Sequence, residues 1–258
     1  MKTGILYQNF WPEEKIKEAL PVIAGLGCRG VQLYVTKSFS PENLSGTGRK
    51  DIRNLLAKHG LALPAVCADY GKGFVNPEWA EWSLEKVSPC FPLARDLGTD
   101  VVTTHFGKVP QDRNDPARKA LVQVVKEVAG RALDAGCRIA TETGAEDPAV
   151  LAGFLEEVNS PGIAANYDPS NLTRRGFDAV KGVHDLGAWI VHTHAKDGLK
   201  SGEEAPLGQG DVDWRAYVAA LGAVGYDGYL TVERERMKAS PEEEAKHAVD
   251  FLKNLIGG

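Results

Sequence analysis

The sequence lacks several features that would assign it to particular classes of protein. Its four cysteines stand far apart and form no CxxC pair, so CxxC-type structural zinc and thioredoxin-like redox chemistry have no support. No apolar run reaches the roughly 18 residues that a membrane-spanning helix needs, and no stretch of signal-peptide length precedes Glu13. We therefore expect a protein of the reducing cytoplasm, with no membrane partner.

The sequence also lacks a basic block. Lys and Arg number 30 against 35 Asp and Glu, so the formal net charge is -5, and the pI is about 5.7. Proteins that bind the phosphate backbone carry a concentrated positive surface. A nucleic-acid partner is therefore not expected.

What the chain does have is the composition of an ordinary globular protein and a repeated alternation of patterns. It has 258 residues, of which 43% are hydrophobic. Amphipathic segments such as PARKALVQVVKEVAGRALDAG, with apolar residues at three- and four-residue steps, predict helices between short apolar runs that predict strands. The eight candidate strands are GILYQNF, RGVQLY, LALPAVCA, DVVTTHFG, RIATETG, GIAANYDPS, IVHTHAKD and YLTVERE.

Alternating strands and helices predict βαβ crossovers and a parallel sheet. Eight units in this length average about 32 residues each, which matches a (β/α)8 barrel. A doubly wound sheet would normally carry a glycine-rich phosphate loop after its first strand, whereas this chain has GILYQNFWPEE there. No linker or change in composition divides the chain. We therefore predict the α/β class and a single (β/α)8 TIM barrel domain over residues 1–258.

Polar residues occur at the carboxyl ends of successive candidate strands, where the active site of such a barrel lies. Glu142, Asp168, His194 and Glu233 end the fifth to eighth strands. Such residues in a barrel mouth must be paired, hydrogen-bonded or metal-bound, and four on neighbouring strands require a common partner. Three carboxylates and one imidazole suit Mn²⁺, Mg²⁺ or Co²⁺, and Zn²⁺ is left open as well.

Three further polar residues are expected at this site. His105 ends the fourth strand and is expected to line the pocket, and Asn171 follows Asp168 closely. His192 shares one face of the seventh strand with His194, because side chains two residues apart point the same way. Its position leaves two interpretations open: a hydrogen-bonded core residue, or a residue that supports the site.

Lys196 lies on that same face and is a candidate contact for a substrate oxygen. The alternative is a structural ion pair with Asp197 or Glu142.

Motifs at these strand ends are similar to those of a known family. They are TETG, NYDPSN, VHTHAKDG, PLGQGDVDW and GYDGYLTVERE. With them the chain resembles the xylose isomerase-like superfamily of sugar isomerases and epimerases, which includes ketose 3-epimerases, hydroxypyruvate isomerase, inosose dehydratase and, more distantly, endonuclease IV. The resemblance covers the element order of essentially the whole chain, although the informative motifs lie in its second half.

The resemblance implies one divalent metal ion held by Glu142, Asp168, His194 and Glu233, with the two glutamates also acting as the acid/base pair. It implies an enzyme of carbohydrate metabolism that converts a small keto sugar or hydroxy-ketone through an enediolate by proton transfer. His105, Asn171, His192 and Lys196 are then the expected substrate-binding residues. Family members are often dimers or tetramers, which leaves a homo-oligomer open.

The chain departs from the ketose 3-epimerase pattern at two positions. Asn171 stands where those enzymes typically have histidine, and Lys200 where they have arginine. The Lys196–Asp197 pair is more similar to the isomerase and dehydratase branches.

Three other functions remain as alternatives. A lyase of the inosose dehydratase kind would use the same metal but expel a β-hydroxyl group. An endonuclease IV-like nuclease would need more histidines and a basic groove, against which stand six histidines and an acidic pI. A non-catalytic sugar-binding barrel would not need the intact glutamates.

Overall fold

The computed structural model describes residues 1–257 and shows a closed barrel of eight parallel strands. Their order around the barrel is β1-β10-β7-β6-β5-β4-β3-β2, and β8 and β9 form a separate antiparallel pair. The predicted α/β class and single (β/α)8 barrel are confirmed. The strands are β1 (Lys2–Leu6), β2 (Gly30–Tyr34), β3 (Val66–Cys67), β4 (Val101–Thr104), β5 (Arg138–Glu142), β6 (Ile163–Tyr167), β7 (Ile190–Ala195), β8 (Asp197–Gly198), β9 (Glu204–Ala205) and β10 (Tyr229–Val232).

Helices connect the strands and surround the barrel. Two of them, α6 and α7, begin with the same Asp-Pro signal: Asp115 and Asp147 each accept a hydrogen bond from a backbone N–H of the first turn, which satisfies a donor that the helix itself cannot. The helices are α1 (Tyr7–Phe10), α2 (Ile16–Leu26), α3 (Gly46–Lys58), α4 (Pro77–Val87), α5 (Cys90–Leu97), α6 (Pro116–Asp134), α7 (Pro148–Val158), α8 (Pro169–Thr173), α9 (Ala179–Leu186), α10 (Trp214–Ala223) and α11 (Pro241–Ile256).

None of the helices within residues 1–257 combines the length and the apolar composition that crossing a bilayer would require.

Two strands are shorter than their apolar runs predict. The first ends at Leu6, and the chain turns into α1, where the Tyr7 hydroxyl donates to the Pro12 carbonyl oxygen at 2.6 Å. The third contains only Val66–Cys67, because Pro64 has no N–H to donate to a neighbouring strand.

The interior of the barrel changes from apolar to polar along the strands. A small apolar cluster contains Val101, Ala140 and Ala164 on β4, β5 and β6. Two residues further along the same strands are Thr103, Glu142 and Asn166, which are buried and polar. Because side chains two residues apart share a face, the polar layer stands directly on the apolar one, at the carboxyl ends of the strands.

Asp197 holds the long connection between β7 and α10. Its buried carboxylate accepts hydrogen bonds from the backbone N–H groups of Gly198, Gly208, Gly210 and Val212, and from the indole N–H of Trp214. Five donors around one carboxylate explain why the PLGQGDVDW segment is rich in glycine, since a Cβ at Gly210 would collide with the Asp197 side chain.

Replacing Asp197 by Asn should destabilise the protein. The amide that replaces the carboxylate would present its NH2 group to N–H donors, and hydrogen bonds to a charged group contribute about 1.5–3 kcal/mol each. We expect a loss of at least about 2 kcal/mol in the free energy of unfolding, measured with urea, and faster proteolysis within residues 199–213. Asp211→Asn is the matched control, because Asp211 lies in the same segment, is exposed and accepts one bond from the Lys200 N–H at 2.7 Å. Equal stability of the two variants would contradict this role for Asp197.

Candidate active site

Four ionisable side chains meet at the carboxyl end of the barrel. Glu142 ends β5, Asp168 follows β6, His194 lies on β7 and Glu233 follows β10. All four are buried, and one ligand atom of each lies within 4.8 Å of the others. The four residues expected to form the metal site are therefore brought together by the strand order, and this cluster could hold a metal ion.

The donor atoms of this cluster fit a cation. The His194 Nδ1 lies 3.1 Å from Glu233 Oε2 and 3.5 Å from Glu142 Oε2. Asp168 Oδ1 accepts the backbone N–H of Asn171 at 2.9 Å, but its Oδ2 is fully buried and has no hydrogen-bond partner. A buried carboxylate oxygen without a partner is costly. A divalent ion among these oxygens would satisfy it.

The carboxylates of the cluster differ in how readily they ionise. Burial raises the pKa of Asp168 to about 8. Burial opposes the ionisation of Glu233 as well, but the positive charges of His194 and Lys196 outweigh it and hold the pKa of Glu233 well below its usual range. Additional positive charge in the cluster would stabilise the Asp168 anion too.

His105 approaches Glu142 from the fourth strand. Its Nε2 lies 3.7 Å from Glu142 Oε2 and its Nδ1 lies 2.8 Å from Asp69 Oδ2. Loss of water contacts at the barrel mouth lowers the pKa of His105, but the two carboxylates outweigh it and raise the pKa to about 9. Burial likewise opposes the ionisation of Glu142, and His105 with His194 lowers its pKa. At neutral pH this geometry therefore gives a protonated His105 beside an ionised Glu142.

A cavity of about 430 Å³ has none of the four cluster residues in its lining. Asp69 connects the two, since it lines the cavity and contacts His105, whose side chain is 47% exposed. His105 therefore contacts a residue of the cavity wall but does not itself line the cavity. The other lining residues are Gln8, Trp11, Pro12, Glu13, Glu14, Tyr34, Thr36 and Lys37.

Asn171 and Lys196 both contact the cluster directly. The Asn171 side-chain amide donates to Glu142 Oε1 at 2.7 Å, which orients that carboxylate. Lys196 Nζ donates to Glu233 Oε2 at 3.2 Å and lies 3.9 Å from Asp168 Oδ2. Lys196 therefore forms ion pairs with Glu233, with Asp168 and, at 3.4 Å, with Glu235. It forms none with Glu142 or with Asp197, whose carboxylate is turned toward its backbone donors.

His192 lies one step deeper in the barrel than His194. Its Nε2 is 3.2 Å from Gln32 Oε1, and its ring packs edge to face on His194 with centroids 5.7 Å apart. Burial, with the charge of His194, lowers its pKa well below the usual value, so the ring is neutral. The two interpretations left open above both apply, since His192 is a hydrogen-bonded core residue that packs against the site.

The family model of the xylose isomerase-like TIM barrel matches residues 20–255. The chain belongs to this family.

Relatives within the xylose isomerase-like TIM barrel family are distant in sequence. An uncharacterized protein of Methanocaldococcus jannaschii is 22% identical, covering 99% of this chain and 89% of the relative. A ketose 3-epimerase of Arthrobacter globiformis is 24% identical over 70% of this chain and 66% of its own length. An inosose dehydratase of Mesomycoplasma hyopneumoniae is 29% identical over 40% of this chain and 41% of its own length.

Solved structures share the fold. The xylose isomerase domain protein of Planctomyces limnophilus has a TM-score of 0.82 at 24% identity, over 92% of this chain and 90% of its own. The probable 3-DHS dehydratase of Bacillus anthracis has a TM-score of 0.81 at 17% identity, over 98% and 99% of the two chains.

The sequence patterns do not single out the residues that support this xylose isomerase-like site. Arg234 follows Glu233, is buried, and donates to Glu204 Oε1 at 2.6 Å and to Glu244 Oε2 at 3.2 Å, which ties β9 and α11 to the backbone beside Glu233. For Arg234, the available sequence signal was a second charged residue directly after Glu233, at the end of a buried strand. For Gln32, the available sequence signal was its own polar side chain in the middle of the strand run RGVQLY.

Metal removal and reloading should change the stability of the protein. After chelation, we expect Mn²⁺, Mg²⁺, Co²⁺ or Zn²⁺ to raise the Tm, because a ligand at 100 times its Kd stabilises the folded state by about 2.7 kcal/mol. Asp168→Asn should abolish the gain, since its amide can still accept the Asn171 N–H but offers no anionic Oδ2. Asp211→Asn is the control and should keep the gain. A wild-type Tm that is indifferent to all four ions would refute the site.

Proposed function

We propose that this chain is a divalent-metal-dependent isomerase or epimerase of a small keto sugar or hydroxy-ketone. The observation that carries the proposal is the buried convergence of Glu142 and Glu233 with Asp168 and His194. The cluster is linked to a cavity through His105 and Asp69. Buried carboxylates with altered pKa in a pocket are typical of proton-transfer sites. The similarity to a ketose 3-epimerase supports the same class of reaction.

Glu142, Asp168, His194 and Glu233 are the residues that would hold the metal ion. When bound, a divalent ion supplies Lewis acidity to a substrate carbonyl and its neighbouring hydroxyl oxygen, which acidifies the C–H bond between them.

The two glutamates are the proposed proton-transfer groups. Both have lowered pKa values, so each is an anion that can accept a proton at neutral pH. Asn171 holds Glu142 through Oε1, and Lys196 holds Glu233 through Oε2. Return of the proton by the same glutamate to the neighbouring carbon, with a proton moved from one enediolate oxygen to the other, gives aldose–ketose isomerisation. Protonation of the original carbon by the counterpart on the other face gives epimerisation.

The cavity favours an uncharged substrate. Three of its lining residues, Glu13, Glu14 and Asp69, carry acidic side chains, against one cationic side chain, Lys37. A phosphorylated sugar would meet this negative excess without a cluster of cations to bind it. We therefore propose a neutral polyhydroxy ketone, contacted by His105 at the cavity and by Asn171, His192 and Lys196 from the buried side.

A lyase of the dehydratase kind is the second candidate. The inosose dehydratase relative favours it, and the same glutamates would remove the proton before a β-hydroxyl group leaves. Product analysis separates the two reactions, because the lyase releases water and forms an unsaturated product.

A substrate screen in deuterated water tests the proposal. Metal-loaded protein is incubated with neutral keto sugars, inososes, hydroxypyruvate and phosphorylated keto sugars, and products are followed by NMR and mass spectrometry. We expect a neutral substrate to be converted with solvent deuterium incorporated at the reacting carbon. Conversion of phosphorylated sugars alone would refute the neutral class, and binding without turnover would refute the enzyme.

Substitution of the glutamates tests their roles on the substrate so identified. Glu142→Gln and Glu233→Gln should each lower kcat by at least about 100-fold, because general acid–base groups contribute about 10²–10⁴-fold. Glu42→Gln is the control, since Glu42 is exposed and remote from the cluster. Full turnover by both glutamine variants would overturn the assignment.

A further inference from the structure

A chain of hydrogen bonds crosses the barrel interior to His194. The Gln32 side chain is fully buried, and its Oε1 lies 3.0 Å from His194 Nε2. Its amide nitrogen donates to Thr103 Oγ1 at 3.0 Å, and Thr103 Oγ1 lies 3.4 Å from the Val66 carbonyl oxygen. The chain thus joins β3, β4, β2 and β7.

The donor and acceptor of each hydrogen bond in this series can be assigned by starting from the Val66 carbonyl. The Val66 carbonyl can only accept, so the Thr103 hydroxyl donates to it and has no second hydrogen to give. The Thr103 oxygen therefore accepts from the NH2 group of Gln32. This fixes the orientation of the Gln32 amide, so its carbonyl oxygen faces the histidines.

An amide carbonyl accepts hydrogen bonds but cannot donate them. His194 must therefore carry a proton on Nε2 to bond to Gln32, and His192 must do so as well, since its Nε2 contacts the same oxygen at 3.2 Å. The Asn166 amide nitrogen, a donor, lies 3.3 Å from His194 Nε2 and 3.5 Å from Nδ1, so it can donate to Nδ1 when the lone pair is there, and it offers no acceptor to either nitrogen. Gln32 Oε1 is thus the acceptor for both rings.

A proton on Nε2 leaves the lone pair of neutral His194 on Nδ1, the nitrogen that faces Glu142 and Glu233. A ring that binds a cation keeps one proton, and the acceptor on its far side determines which.

We propose that Gln32 is a positioning residue of the metal site: through the Thr103–Gln32 chain it holds His194 in the Nε2-protonated tautomer, with the Nδ1 lone pair toward the three carboxylates. This inference rests on the proposed metal site. It extends that site to Gln32 and Thr103, which are not among its four candidate ligand residues.

The tautomer itself can be observed without substitution. Long-range ¹H–¹⁵N spectra of the histidine rings, recorded on wild-type protein loaded with diamagnetic Mg²⁺ or Zn²⁺, distinguish protonated from unprotonated ring nitrogens. We expect Nε2–H and an unprotonated Nδ1 in His194, and Nε2–H in His192. A protonated Nδ1 in metal-loaded His194 would overturn the proposal.

Variants of Gln32 test its contribution to metal affinity, measured by calorimetric titration. Gln32→Leu removes the acceptor and should weaken binding about 10–100-fold, the usual cost of losing a residue that orients a ligand. Gln32→Glu keeps an acceptor oxygen and should retain the wild-type tautomer and an affinity within about threefold of wild type. Thr104→Val is the matched control on β4, because Thr104 is buried and its hydroxyl donates to the Ala68 carbonyl oxygen, outside the chain.

The outcomes separate this inference from the proposed function. If the wild-type protein binds no divalent ion, the metal site itself fails. If the wild-type protein binds metal and Gln32→Leu, folded by circular dichroism, binds it equally well, only the role of Gln32 is wrong. If Gln32→Leu does not fold, the tautomer seen in the wild-type spectra still decides.

Discussion

The burial of three carboxylates within one small volume is the constraint on which the rest of this structure depends. Glu142, Asp168 and Glu233 would repel one another strongly in a site that excludes water. The protein opposes this repulsion only in part, with Lys196 against Glu233 and with the imidazole of His194 between two of the carboxylates. The partnerless Asp168 Oδ2 shows where compensation is incomplete, and a cation is the simplest group that would complete it.

Supporting residues keep this costly arrangement in place. Asp197 accepts hydrogen bonds from the backbone of the segment after β7, and Arg234 donates to residues of β9 and α11 next to Glu233. Gln32 and Thr103 approach from the other side of the barrel. Each makes several hydrogen bonds in a buried setting, where an unmade bond is expensive. These supporting residues therefore fix the positions of the strand ends that carry the site.

Much of the fold could be predicted from sequence because it depends on local periodicity. Eight apolar runs separated by amphipathic helices are sufficient for a parallel barrel, since right-handed βαβ crossovers leave few other arrangements. The differences from the prediction are local. A short helix begins at Tyr7, which the apolar run of the first strand does not reveal, and Pro64 shortens the third strand. The β8–β9 hairpin was not predicted, since two-residue strands leave no periodic signal.

The sequence by itself determined which residues gather at the barrel mouth, because parallel strands in a closed barrel end at one rim, and Glu142, Asp168, His194 and Glu233 end four adjacent strands. Only the tertiary structure decided the partners of those residues. That Lys196 pairs with Glu233, and that Asp69 bonds to His105, depends on how the segments after neighbouring strands of the barrel place their side chains, although these segments lie far apart in the chain. Periodicity specifies the face on which a side chain lies, but not the side chain that meets it from the other strands.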